Sequence, residues 1–252
     1  MIIFVIYFLS NILKAARVHP LINNLKAVLS GLILIYASGC DSNIEIDPAE
    51  TGQAFYPLST GDYREYKIEQ IKYSILNTPD TIRYLLKEQV SDSFINQTGG
   101  TTYTLNRYKR SNDTVAWVID SVWTVIKSET NVVVTENNIP FAKLVFPVLD
   151  QKQWDGNAFN TLEEELYRYE NTYQPINLEN IDFNSTITII HEFNQDSIVM
   201  KDIRNEIYAE NVGLIYKESI ILHYCTENEC LGKQIIEQGV DFKQELIGYG
   251  NE

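Results

Sequence analysis

Beyond residue 60 the apolar side chains of this chain recur at every second position, the period of a strand half-buried in a sheet and not the 3.6-residue repeat of a helix. Val115, Trp117, Ile119, Trp123 and Val125 all fall on odd positions, with Ala116, Asp120 and Thr124 between them. Ile82, Tyr84, Leu86 and Val90 repeat the pattern on even positions, and Thr186 to Phe193 has the β-branched richness of a strand. Tyr66 and Ile68 are even whereas Ile71, Tyr73 and Ile75 are odd, so the inward phase flips near Gln70, as a β-bulge there would make it do. Asn77-Thr-Pro-Asp80, Gln97-Thr-Gly-Gly100, Ser111-Asn-Asp113 and Asn194-Gln-Asp196 separate these runs with turn chemistry at hairpin spacing. The pattern predicts a mainly β fold, a single antiparallel meander sheet curved into a half-barrel or sandwich, with one or two short helices. The best helix candidate is Leu162 to Tyr169, with Glu163, Glu164 and Glu165 in its first turn, and Asn171 to Asn184 reads as an irregular loop.

A second discontinuity lies at Cys40. Positions 1 to 39 contain no Asp or Glu, while the 213 residues from Cys40 onward hold 17 Lys and Arg against 34 Asp and Glu, a net charge of about −17. Such a surface repels phosphate backbones, and no block of cations reverses the field locally, which disfavours nucleic acid as a partner. The stretch is long enough for one sizeable core and contains no linker after about residue 55. Before Cys40, Lys26 precedes an apolar run from Ala27 to Tyr36 and the small residues Ala37, Ser38 and Gly39. A cation, a short apolar core and small residues are the parts of a secretory signal, and a run of about ten residues is half of what a bilayer-spanning helix needs. Residues 1 to 23 add a second apolar patch from Ile2 to Leu9 and make the leader longer than the usual run of about 15 to 30 residues, which fits an over-extended start; the alternative is a two-helix hairpin, which the chain break at His19-Pro20 disfavours. The expected organisation is a signal peptide with its helix over 1–39, a flexible tether over 40–54 and one β-rich domain over 55–252.

Ala37-Ser-Gly-Cys40 resembles the lipobox of bacterial lipoproteins, with Ala37 in place of the usual Leu. That resemblance implies a diacylglyceryl group on the Cys40 sulfur, acylation of its freed amino group, and a membrane held through lipid in the cell envelope. Asp41 resembles an inner-membrane retention signal in some envelopes, whereas acidic residues just beyond the Cys accompany export to the surface in others; the outer membrane is expected ahead of the inner. Tyr56-Pro-Leu58, Gly61, Trp154-Asp-Gly-Asn157, Asn211-Val-Gly-Leu-Ile-Tyr216 and Leu246-Ile-Gly-Tyr-Gly250 together resemble a class of β-rich envelope lipoproteins. Some of those resemble the curved half-barrel of lipoprotein carriers that shelters acyl chains.

Catalytic motifs are scarce. The part after Cys40 has two histidines, His191 and His223, and His191-Glu192 fails the helical zinc motif because Gln195 stands where a second His is required. No nucleophile elbow, phosphate loop or calcium loop is present, so neither metal nor cofactor is expected. Cys225 and Cys230, with four residues between them, fit facing rungs of a hairpin and a disulfide in an oxidising compartment, worth about 2 kcal/mol in the chain-entropy model. The rival reading of that segment is a thiolate metal site with His223 and Glu227 or Glu229. Trp154, in a turn-like segment, is a candidate ligand contact, whereas most of the other aromatic rings fit cross-strand packing. Thr81, Thr114, Ser121 and Ser197 each follow an Asp and precede an apolar residue, and so resemble acceptors of a bacterial periplasmic O-glycosylation system. The functional expectation is a membrane-anchored, non-catalytic binding or assembly module for a protein, glycan or lipid ligand. An acyl-chain carrier is the alternative, and a hydrolase using paired carboxylates is the third choice.

Overall fold

A computed structural model of the protein describes residues 51–196 and 198–252. The signal segment, Cys40, the tether as far as residue 50 and Ser197 lie outside the described residues. Twelve strands follow one another: β1 (Asp62–Ser74), β2 (Asn77–Ile95), β3 (Thr101–Arg110), β4 (Val118–Lys127), β5 (Asn131–Glu136), β6 (Ile139–Val145), β7 (Gln153–Asp155), β8 (Leu166–Leu178), β9 (Ile181–Asp196), β10 (Met200–Ala209), β11 (Gly213–Tyr224) and β12 (Ile236–Asn251). They form one antiparallel sheet in the order β6-β5-β4-β3-β2-β1-β12-β11-β10-β9-β8-β7. Two meanders are thus joined where the first strand pairs with the last, and the sheet curls until it is nearly closed into a barrel.

The seam lies between β6 and β7, and it is stapled rather than laddered. The Ala142 N–H donates to the Gly156 carbonyl at 2.9 Å, and the Trp154 indole N–H donates to the Ala142 carbonyl at 2.8 Å. The Tyr169 hydroxyl accepts from the Val145 N–H at 3.0 Å and donates to the Val145 carbonyl at 3.1 Å. A Cβ on Gly156 would lie 2.3 Å from the Tyr167 ring, so only glycine lets the chain pass there. Curvature comes from β-bulges: the register shifts in every strand pairing except β4 with β5 and β7 with β8.

The chain is packed against the barrel from Thr51 onward. A 3-10 turn, Gln53–Phe55, buries Phe55. The Val148 N–H donates to the Thr51 carbonyl and the Asn211 N–H to the Ala54 carbonyl. Lys127 Nζ donates to the carbonyls of Gln53 and Tyr56 at 2.8 and 2.9 Å. Turns of a meander alternate between its two ends, and Lys127, Val148 and Asn211 all lie at the same end, so this segment caps it. The apolar interior is built from Phe55, Tyr56, Val90, Leu105, Val125, Trp154, Tyr169, Ile187 and Ile189, adjoined by a cluster of Tyr66, Ile68, Leu86, Ile215 and Leu246.

Four local expectations are corrected. Leu162 to Tyr169 is not a helix: residues 161–165 are irregular and β8 begins at Leu166. Tyr167 and Tyr169 point inward at strand period while β7 and β9 supply hydrogen-bond partners, which overrides the weak helix preference of the glutamates. Asn171 to Asn184 is a bulged hairpin, in which Asn171, Tyr173, Glu179 and Asn180 take positive φ. No register shift occurs at Gln70. Tyr73 instead packs with Ile203, Ile220 and Leu222, a small cluster on the face opposite to Glu206, so both phases of β1 bury apolar groups. The odd positions around β4 do not share a face either. A shift between Arg107 and Tyr108 of β3 leaves Asp120 of β4 unpaired, so Trp123 and Val125 turn inward while Val115 and Ile119 are exposed.

Candidate functional site

The interior of the barrel is not filled by its apolar clusters. A cavity of about 250 Å³, partly open to solvent, is lined by charged and aromatic groups. Two cross-strand rows supply five of the seven charged groups in the wall. In the first, Arg64 of β1 lies opposite Glu88 of β2, which lies opposite Arg107 of β3. In the second, Glu206 of β10 faces Lys217 of β11, which faces Gln244 of β12, then Ile68 of β1 and Tyr84 of β2. Glu136 and Lys143 complete the charged lining from β5 and β6.

Three of the cations are matched to carboxylates. Arg107 Nε donates to Glu88 at 3.0 Å, and its guanidinium lies 3.7 Å from the centre of the Trp123 ring. Lys143 bridges Glu136 at 2.8 Å and Glu206 at 3.3 Å, and Lys217 reaches Glu206 at 2.9 Å. The Tyr208 hydroxyl donates to the other Glu206 oxygen at 2.7 Å. Burial pushes the Glu206 carboxyl up, but Lys143 and Lys217 outweigh it and hold the group well below the usual carboxylate range. Glu136 is likewise lowered, by Lys143 and Lys217 against its burial. Burial alone would lower Lys143, yet Glu136 and Glu206 raise it well above the ordinary lysine value. All three groups are therefore charged at neutral pH.

Arg64 is different. It is buried, and among the described residues it makes no ion pair; its Nε and Nη2 donate to the carbonyls of Val212 at 2.6 Å and Pro57 at 3.1 Å. Gly213, at φ +96°, makes this possible, because a Cβ there would sit 2.8 Å from Arg64 Nε. Two further donors in the wall have no acceptor among the described residues, Gln244 Nε2 and the Trp123 indole N–H, and Gln244 is only 3 % exposed.

His191 lies behind this network, stacked on Tyr167 with ring centres 3.8 Å apart and its Nε2 3.9 Å from Glu206. Burial is the main cause that pushes its pKa down to about 3, opposed only in part by Glu206, so the ring is neutral at physiological pH.

The residues singled out from sequence lie elsewhere. Trp154 is part of β7 and not of an open turn; it is buried, packs on Tyr167 and Tyr169, and spends its N–H on the seam, so its role is structural. Cys225 and Cys230 are bonded, with Cα atoms 5.8 Å apart. The bond closes the connection between β11 and β12 and does not join two ladder rungs, since both cysteines fall between Tyr224 and Ile236. Among the described residues no group of His, Cys, Asp and Glu is placed to hold a metal ion. Thr81 and Thr114 are exposed and Ser121 is half-buried. The Thr114 hydroxyl donates to Asn112 and that of Ser121 to Asp120. Cys40 and Ser197 lie outside the described residues.

No family model and no curated protein matches the chain. Among the solved structures similar to it are two from Bacteroides fragilis and Parabacteroides distasonis. One is from Bacteroides fragilis, described as an exported protein with a YmcC-like fold, 12% identical, with a TM-score of 0.41 over 78% of this chain and 99% of that one. The other is described as a lipoprotein from Parabacteroides distasonis, also 12% identical, with a TM-score of 0.30 over 78% of this chain and 98% of that one. At those scores neither likeness carries an argument about what this chain does.

The sequence did contain a signal for the cavity. Arg64, Glu88, Arg107, Glu136, Glu206 and Gln244 each stand two residues from a buried apolar side chain, respectively Tyr66, Leu86, Leu105, Val134, Tyr208 and Leu246. Charged residues on the inward phase of a strand mark either a lined interior or a second packed layer, and only closure of the sheet distinguishes these.

Proposed function

We propose that the protein is a non-catalytic binding module of the cell envelope, anchored through a lipid on Cys40, whose barrel holds a small polar ligand in its interior. The observation that carries this reading is the charged cavity with its unpartnered buried donors. Buried ion pairs contribute little net stability, because desolvation offsets their attraction, and apolar residues of the same volume serve a core as well or better. A barrel that needed only to be stable would have filled this space with the Val, Ile and Leu that line the rest of it. Seven charged side chains are held there instead, which is what a ligand site requires and a core does not. Glu136 and Glu206 are tied to lysines that keep them ionised, which favours binding over proton transfer.

An acyl-chain carrier is the second reading, since a nearly closed barrel with internal volume has the outline a carrier needs. Its wall would have to be apolar, however, and an acyl chain here would meet four cations and three carboxylates.

The test asks whether small solutes reach the interior. Acrylamide quenching of tryptophan fluorescence is compared between wild type and Trp123→Phe, so that the difference isolates Trp123. A quenchable Trp123 component is expected. If Trp123 emission does not respond to acrylamide while Trp117 does, no small molecule enters the barrel and the reading is abandoned.

A further inference from the structure

We infer that the barrel cavity binds a small monocarboxylate bearing further acceptor oxygens, of the sugar-acid kind, with Arg64, Gln244 and Trp123 as its recognition residues. The inference rests on the reading of the cavity as a ligand site and adds the chemical class of the ligand. Charge decides the sign. The wall carries Arg64, Arg107, Lys143 and Lys217 against Glu88, Glu136 and Glu206, one positive charge in excess, inside a protein that is acidic as a whole. The three carboxylates have their cations, so the excess sits at Arg64, whose partners are two backbone carbonyls. One bound monoanion neutralises the cavity, a neutral ligand leaves the charge unmatched, and a dianion leaves one negative charge in excess.

Hydrogen bonding points the same way. The buried groups of this wall without partners among the described residues are donors: the Gln244 amide nitrogen and the Trp123 indole N–H. Arg64 adds the N–H groups of Nη1, which donate to nothing among the described residues. A ligand matched to them is rich in acceptors, and a carboxylate offers the planar pair of oxygens that suits a guanidinium. Tyr84 and Phe242 add ring surface on the same wall, which suits a ligand with a ring or carbon skeleton rather than a bare ion.

Detergent-solubilised full-length protein would be titrated calorimetrically at pH 7.5 with D-glucuronate, acetate, D-glucose and inorganic phosphate. Glucuronate should saturate and bind more tightly than acetate, glucose should bind at least tenfold more weakly, and phosphate should not exceed glucuronate. Gln244→Leu, which keeps the side-chain volume, should weaken glucuronate by about tenfold, the loss expected for one hydrogen bond to a charged group. Arg64→Gln should weaken it further; if that variant does not fold, Gln244→Leu alone decides. The inference is overturned if glucose binds as well as glucuronate, if phosphate binds more tightly, if Gln244→Leu binds glucuronate as wild type does, or if no carboxylate saturates. In each of these cases a quenchable Trp123 still leaves the barrel as a binding module, so the two claims fail separately.

Discussion

Glu206 is the hub of the interior network, and replacing it with Gln tests whether the network is as tightly coupled as its geometry implies. Glu206 is 1 % exposed and touches Lys143, Lys217 and the Tyr208 hydroxyl. Breaking a buried ion pair by neutralising one partner costs about 3–5 kcal/mol, because the other charge is left uncompensated. Here Lys143 keeps Glu136 at 2.8 Å, and an amide oxygen still accepts from Tyr208, so the lower end applies. Glu206→Gln should therefore lose about 3 kcal/mol at pH 7. For a domain of this size that is on the order of 10 °C in Tm.

The loss should also depend on pH in a defined direction. The folded carboxyl is held well below its ordinary value of 4.5 by the lysines, so its contribution is fully present above that value. It disappears as the pH falls below 4.5 toward the depressed folded value. Urea unfolding followed by circular dichroism at pH 7 and at pH 3.5 measures both. The difference between wild type and variant should be large at pH 7 and shrink at pH 3.5. A difference below about 1 kcal/mol at neutral pH, the range of an exposed pair, would refute the reasoning, as would one that does not change with pH.

His191 should remain neutral from pH 8 to pH 5, its imidazole resonances in NMR moving only as the pH approaches 3, the value set chiefly by its burial. Because the folded value lies below the ordinary 6.5, stability attributable to this ring is complete above that pH and declines as the pH falls toward 3; a ring that titrates near 6.5 would mean that water reaches it. Cys40→Ser should release the protein from the membrane fraction and leave it without lipid mass, whereas a variant that stays in the membrane with the processed mass of the wild type would remove the anchor.

Fold class was legible because sheet burial acts at the period of the backbone itself. Leu86 and Val90 on β2, and Ile187 and Ile189 on β9, are inward in the structure because successive side chains point to opposite faces and alternate ones share a face. Legibility failed where one extra residue entered a strand. At Asp120 the bulge turned Trp123 inward and left Ile119 in solvent, and bulges leave no fixed mark in composition. It failed again at Tyr167 and Tyr169, where three glutamates at the start of the segment suggested a helix but the flanking strands supplied the hydrogen bonds.

The candidate site was half legible for the same reason. That Glu88 interrupts Leu86 and Val90 is a fact of sequence, and so is the place of Glu206 two residues before Tyr208. What no local pattern contains is that β1 pairs with β12, which brings Gln244 and Ile68 side by side, or that Lys143 on β6 meets Glu206 on β10 across the interior. The sequence by itself determined the alternation, the turns, the acidic surface and the small residues before Cys40, all of which act over a few residues. The tertiary structure decided the rest. Whether an inward charge is a defect or a ligand contact depends on which distant strand closes the barrel against it, and that is set by the summed packing of all twelve strands rather than by any one of them.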